Sequence, residues 1–260
     1  MASFLYLRKP SPLHGLHPVT KIVGLLMAFV APMAFKDPWY NLAPAAMGLA
    51  LVWAAGALTN LRRTWPFLAV IGVLSVVLWT LFYQPEGATG WGVHATRTSF
   101  MLGLAMGLRI EAFLLAGLAF ISSTSTEAFS YGLRRLGLPH IVSFAFTLAL
   151  RLVPTFAATA RTIVQAQRSR GAEIGRGGFV RRIRTYAALI VPVLAYALRS
   201  ADGLSMALES RGLGARPDRT YYWVFAARAA DVAAVALIVV FAAACVAIRA
   251  QGYGAVVAGL

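Results

Sequence analysis

The sequence predicts an all-α, polytopic membrane protein with about five transmembrane helices and a cytoplasmic module of three further helices. Three observations carry this. Of the 260 residues 59% are hydrophobic and only 13% charged, against about 25% charged in an ordinary soluble domain, and mean hydropathy is +0.71. Apolar runs of roughly 20 residues, the length that crosses a bilayer core, recur along the chain. The cations behind the net charge of +15 fall between these runs, which is the membrane pattern and not a nucleic-acid footprint. The lipid bilayer is thus an expected partner and nucleic acid is not. The single cysteine, Cys245, excludes an internal disulfide. Residues 1–18 lack an apolar core followed by a small-residue cleavage site, so no cleavable signal peptide is expected.

The expected spans are residues 19–35, 39–58, 65–83, 99–121 and 226–248. Lys36-Asp37-Pro38 makes the first turn, Arg62 and Arg63 mark the second bend, and residues 84–97, with Pro85 and three glycines, form an interfacial loop. Placing the N-terminus inside the cell puts Arg8, Lys9, Lys21, Arg62, Arg63 and every arginine from Arg134 to Arg228 on the cytoplasmic side, leaving Lys36 and Arg97 outside. The expected location is the plasma membrane. The expected division is a four-span bundle over 1–121, cytoplasmic helices over 122–220 and a last span over 221–260.

The cytoplasmic part opens with Ser122-Ser123-Thr124-Ser125-Thr126-Glu127, where Thr124 or Ser123 is placed to cap a short helix. That helix ends at Leu136, before Gly137 and Pro139. A second helix runs from Pro139 for roughly 30 residues, about 45 Å, apolar first and polar later, with a kink expected at Pro154. A third, residues 179–210, has an apolar middle around Pro192. Arg181, Arg182 and Arg184 at its start oppose the helix dipole, which leaves topology, a partner or anionic lipid as their use. Both long helices finish on the same tripeptide, Ser169-Arg170-Gly171 and Ser210-Arg211-Gly212, with the arginines 41 positions apart (170 to 211). Arginine followed by glycine is also what a plain C-terminal cap looks like. The two readings are compatible, because a glycine that ends the helix exposes the arginine.

Arg109 and Glu111 lie inside the fourth span, where ionisable groups are costly. At i and i+2 they cannot pair on one helix face. Arg109 is expected to bridge to another helix, with Asp231 in the last span as a candidate partner; the alternative is that it lies close enough to an interface to snorkel. Gly103, Gly107 and Gly117 mark a close-packing face on that span. The four histidines form no set with zinc-like spacing, so no metal site is assigned. Every lysine is at or before Lys36, so no P-loop exists, and no catalytic motif or carboxylate pair appears. ATP, if used, is bound by other subunits, and no cofactor is expected. The competing reading is a membrane enzyme acting on phosphorylated lipid or isoprenoid substrates. It asks for metal-binding acids beside the arginines, and Asp202, Glu209 and Asp218 are dispersed.

Several segments together resemble the transmembrane (T) subunit of energy-coupling factor transporters, the vitamin and transition-metal importers of prokaryotes. They are residues 11–21 (with His17 where the family usually has Asp), Arg109, Thr124–Glu127, Leu136–Pro139, Arg151-Leu152-Val153-Pro154, Gln165–Gly171 and Ala207–Gly212. The resemblance covers most of the chain. It implies a non-catalytic subunit that joins two ATP-binding cassette ATPases to a membrane-embedded substrate-binding (S) subunit. It makes residues 122–220 the coupling helices, and it implies that Arg170 and Arg211 each enter a groove on one ATPase. Arg109, Arg151 and Pro154 lie in the matching segments and take structural or coupling roles; Pro192, at the middle of the third coupling helix, and Asp231, in the last span, are assigned such roles from their positions alone. The cargo is left open among vitamins, vitamin precursors, nickel and cobalt.

Overall fold

A computed structural model describes residues 11–83, 97–171, 178–215 and 228–254, which form helices and turns without a strand. The helices are α1 (Pro18–Ala34), α2 (Pro38–Ala54), α3 (Leu58–Phe82), α4 (Arg97–Ser123), α5 (Thr126–Arg135), α6 (His140–Ser169), α7 (Phe179–Ser210) and α8 (Ala229–Ala250). The chain divides into two compact units. One holds residues 1–138 and 225–260, the other residues 139–224.

Local chemistry sets the boundaries. Pro18 and Pro38 open α1 and α2, each with a preset φ and no amide to satisfy. His17 Nδ1 accepts from the Val19 amide at 3.2 Å, and Asp37 Oδ1 accepts from the Trp39 amide at 3.0 Å. Position 17 therefore caps α1 with an imidazole nitrogen in place of a carboxylate. The cap of α5 is Ser125, whose Oγ accepts from Ala128 N at 3.2 Å, not Thr124 or Ser123. Ser123 still belongs to α4 and donates back to the Phe120 carbonyl.

In the first unit α4 is the central helix. Asn60 at the start of α3 donates to Ser122 Oγ at the end of α4, 2.8 Å away. Farther along, Gly103 of α4 lies against Val76 and Thr80 of α3, so the two run antiparallel. Lys21 near the start of α1 donates to the Ser123 carbonyl at 2.8 Å, which makes α1 antiparallel to α4 as well. Asn41 at the start of α2 donates to the Ala105 carbonyl at 3.2 Å. Val52 and Ala55 at its end pack with Leu115, Leu118 and Ala119, so α2 runs with α4. The helices α1 and α8 are parallel and tied at both ends, through the His17 amide to Asp231 Oδ1 and the Lys36 amide to the Gly254 carbonyl at 3.0 Å. The five spans expected from sequence thus lie together in one up-and-down bundle. The short α5 packs on α1 in the same unit.

Gly103 and Gly107 let α3 close onto α4. A Cβ on Gly103 would come within 2.8 Å of the Val76 carbonyl, whereas one on Gly117 would meet nothing within 4 Å. The close face expected on α4 is therefore Gly103 and Gly107, met internally, without Gly117. Trp39, Trp53, Trp65, Phe67 and Phe82 are exposed on α2 and α3, as lipid-facing aromatics are.

Five helices are long and apolar enough to cross a membrane: α3, α4, α6, residues 189–210 of α7, and α8. This differs from the expected set. The helices α1 and α2 have 17 residues each, about 26 Å and the lower limit for a span. The apolar stretches of α6 and α7 reach the length by themselves.

The second unit is the pair α6 and α7. Phe156 and Tyr196 meet edge to face, ring centroids 6.3 Å apart, near the middle of both helices. Pro154 and Pro192 sit within about one turn of that contact, and both helices continue through them. Much apolar surface stays exposed, including Ile190, Leu194 and Leu198 at four-residue spacing on α7.

Candidate partner-binding site

The two Ser-Arg-Gly ends share one construction. Arg170 is the C-cap of α6 and Arg211 that of α7. Gly171 and Gly212 follow with φ of 85° and 77°, the left-handed conformation that costs a residue with a Cβ roughly 1–2 kcal/mol. The Gly212 amide returns to the Glu209 carbonyl at 2.8 Å and the Leu213 amide to the Leu208 carbonyl at 2.9 Å, which is a Schellman closure. At α6 the Gly171 amide returns to the Arg168 carbonyl at 3.0 Å. Ser169 and Ser210 turn their hydroxyls back onto the Gln165 and Ala207 carbonyls and so offer no donor outward.

Glycine closure is common in this chain. The helices α2, α5 and α8 also end on left-handed glycines, Gly56, Gly137 and Gly252. Their C-caps are Ala55, Leu136 and Gln251. Only α6 and α7, among these five, place arginine there. Both arginines are exposed, and among the described residues neither guanidinium has a hydrogen bond or ion pair, their backbone amides alone being engaged in closing the helices. Counted from the Phe156–Tyr196 contact, Arg170 lies 14 residues along α6 (156 to 170) and Arg211 lies 15 along α7 (196 to 211). These are two arms of about 21 and 22 Å. Arg151 is exposed on α6.

Arg109 and Asp231 do not meet. Arg109 of α4 donates from Nε to the Pro32 carbonyl at 3.0 Å and from Nη2 to the Phe35 carbonyl, so it closes the C-terminal end of α1. Asp231 serves the opposite end of α1, where its oxygens accept from the His17 and Arg228 amides. About 25 Å of helix separates them. The physical reason is that a cation is drawn to orphan carbonyls at one helix end and a carboxylate to free amides at the other.

Sequence reasoning missed Asn41 and Asn60, both buried, which tie α2 and α3 to α4. A polar amide inside an apolar run was the available signal. It also missed Tyr131, buried between His17, whose ring centroid is 5.6 Å away, and the guanidinium groups of Arg134 and Arg135. Among the described residues no three of His, Cys, Asp and Glu converge on a metal-sized site.

Fold and site define the class: a multi-pass helical membrane protein that presents paired cationic helix ends. The chain belongs to the family described as CbiQ, cobalt transport protein, which residues 9–222 match. It is 29% identical over 233 residues to the energy-coupling factor transporter transmembrane protein EcfT of Thermanaerovibrio acidaminovorans, covering 84% of this chain and 86% of that one. It is 31% identical over 240 residues to the EcfT of Thermosediminibacter oceani, covering 88% and 90%. A Bifidobacterium longum protein named as an ABC transporter ATP-binding protein is 31% identical over 252 residues. That match takes in 92% of this chain but 32% of the relative, so the chain spans about a third of its length.

Proposed function

We propose that ATP-binding cassette ATPases grip this chain at Arg170 and Arg211, and that α6 and α7 carry their movement to a substrate-binding membrane subunit. The chain is a transmembrane component of an energy-coupling factor transporter and not itself an enzyme, as its family and the relatives named EcfT indicate. In the Bifidobacterium longum relative, a protein named for ATP binding includes a region similar to this chain, which supports an ATPase partnership. The observation that carries the proposal is that, among the described glycine-closed helix ends, those of α6 and α7 are the two capped by an exposed arginine, on arms of matched length.

Two such ends fit a pair of ATPase subunits. When the pair closes on ATP, the two ends are displaced relative to each other. Pro154 and Pro192 each remove one helix hydrogen bond beside the contact, so bending concentrates there while the rest of each arm stays stiff. The cytoplasmic face is the end of the first unit where α1, α3 and α8 start. Lys21, Arg62, Arg63 and Arg228 occur there, with Arg134 and Arg135 on α5, which supports that orientation in the plasma membrane. Selection of the cargo, a vitamin or a transition metal such as cobalt, belongs to the separate S subunit.

Arg170→Ala and Arg211→Ala test this together. Each removes one partner of a desolvated charged contact, about 2–5 kcal/mol. Each single variant loosens ATPase pull-down, and the double variant abolishes both pull-down and substrate uptake while the chain still inserts. Full uptake by the double variant rejects the role.

A further inference from the structure

We infer that the first unit holds one anionic phospholipid in the open groove between the start of α1, the end of α5 and the first turns of α8. The groove has a volume of about 730 Å³. Val232, Val235 and Val239 line it at the i, i+3, i+7 spacing of one helix face, and Val19 of α1 forms the facing wall. This is an apolar strip about 10 Å long, suited to an acyl chain. Val232 is 70% exposed, so the strip is open from outside the bundle.

Arg135 completes the lining at the end of the unit that collects the other cations. Its Nε donates to Tyr131 Oη at 3.1 Å, and its guanidinium lies 5.6 Å from that ring. Tyr131 is itself buried and braced against His17. The bracing holds the guanidinium while leaving its terminal nitrogens for the paired hydrogen bonds that phosphate accepts. Asp231 also lines the groove, but both its oxygens are engaged by backbone amides, those of His17 and Arg228. A cation above an apolar strip, in a protein that sits in lipid, matches a phosphate headgroup above its chain. A partner's transmembrane helix would fill the strip without needing the arginine.

The test uses the full-length chain reconstituted in nanodiscs of phosphatidylcholine containing phosphatidylglycerol, with the lipids retained after transfer to detergent counted by native mass spectrometry. One phosphatidylglycerol is retained in preference to phosphatidylcholine. Arg135→Gln lowers that retention about fivefold, the share of one interfacial arginine. Val235→Trp, which keeps every charge and fills the strip, lowers it as well. Arg63→Gln, an equal charge loss at the same end but off the groove, leaves it unchanged. Equal retention of both lipids, an equal loss with Arg63→Gln, or no loss with Val235→Trp overturns the site. So does a photo-crosslinker at Val239 in native membranes that captures a partner subunit and no lipid.

Discussion

Replacing Arg109 by Met keeps the length and apolar stem of the side chain but removes two charge-assisted donors from the end of α1. The loss is uneven. In a continuing helix the Pro32 carbonyl would receive the amide of residue 36, but the Lys36 amide donates to Gly254 instead. Arg109 is therefore the donor that answers Pro32. Phe35 retains Asn41, whose Nδ2 stands 3.3 Å from its carbonyl. One carbonyl is stranded and one keeps a partner. With hydrogen bonds to charged groups at about 1.5–3 kcal/mol and interhelical bonds in membranes averaging nearer 0.6, the variant should lose about 2 kcal/mol. Asn41→Leu should cost about 1 kcal/mol. The double variant should cost more than the sum, because only then does Phe35 lose both donors. Equilibrium unfolding of the purified chain in mixed micelles, followed by circular dichroism, measures all four corners of the cycle. A companion cycle pairing Arg109→Met with Asp231→Asn should be additive, since those groups serve opposite ends of α1. Strict additivity in the first cycle, or coupling above about 1 kcal/mol in the second, refutes the assignment.

Other outcomes follow from the same geometry. Gly103→Leu, forced against the Val76 carbonyl, should cost about 1–3 kcal/mol or more by overpacking, while Gly117→Leu should leave the unfolding midpoint unchanged. Gly212→Ala keeps Arg211 but strains the left-handed closure by about 1–2 kcal/mol, so ATPase pull-down should weaken while insertion is normal; an unchanged pull-down would show that the helix stop is dispensable. His17→Ala should cost about 1 kcal/mol through loss of the α1 cap, and His17→Asn should restore it. His17→Asp should do worse than Asn in the same unfolding assay, because it sets a second carboxylate beside Asp231, which already accepts from the amide of residue 17.

What was legible in the sequence is what short-range chemistry decides. Gly137 and Pro139 end one helix and begin the next, and Ser210-Arg211-Gly212 ends another. The long helices accordingly run His140–Ser169 and Phe179–Ser210, as their punctuation implies. The α5 cap was blurred because four hydroxyl residues precede Thr126 and each could accept an amide; only backbone geometry selects Ser125. The partner of Arg109 was illegible for a different reason. Opposite charge is visible in a sequence, whereas a carbonyl left over at a helix end is visible only once that helix is known to stop beside the arginine. The paired arginines could be seen as a repeat, but not as C-caps unlike the chain's other glycine-closed ends.

The seam between α1 and α8 joins residues more than 200 positions apart, with α6 and α7 made in between. The second unit is therefore an insertion within the first, held by the chain at both of its boundaries. During synthesis the Asp231 carboxylate reaches the amide of His17 only after the whole insertion has been made, so closure of the bundle is a late step. In the finished protein, a pull on α6 and α7 meets two covalent anchors in one bundle, and neither boundary can be drawn away like a free tail.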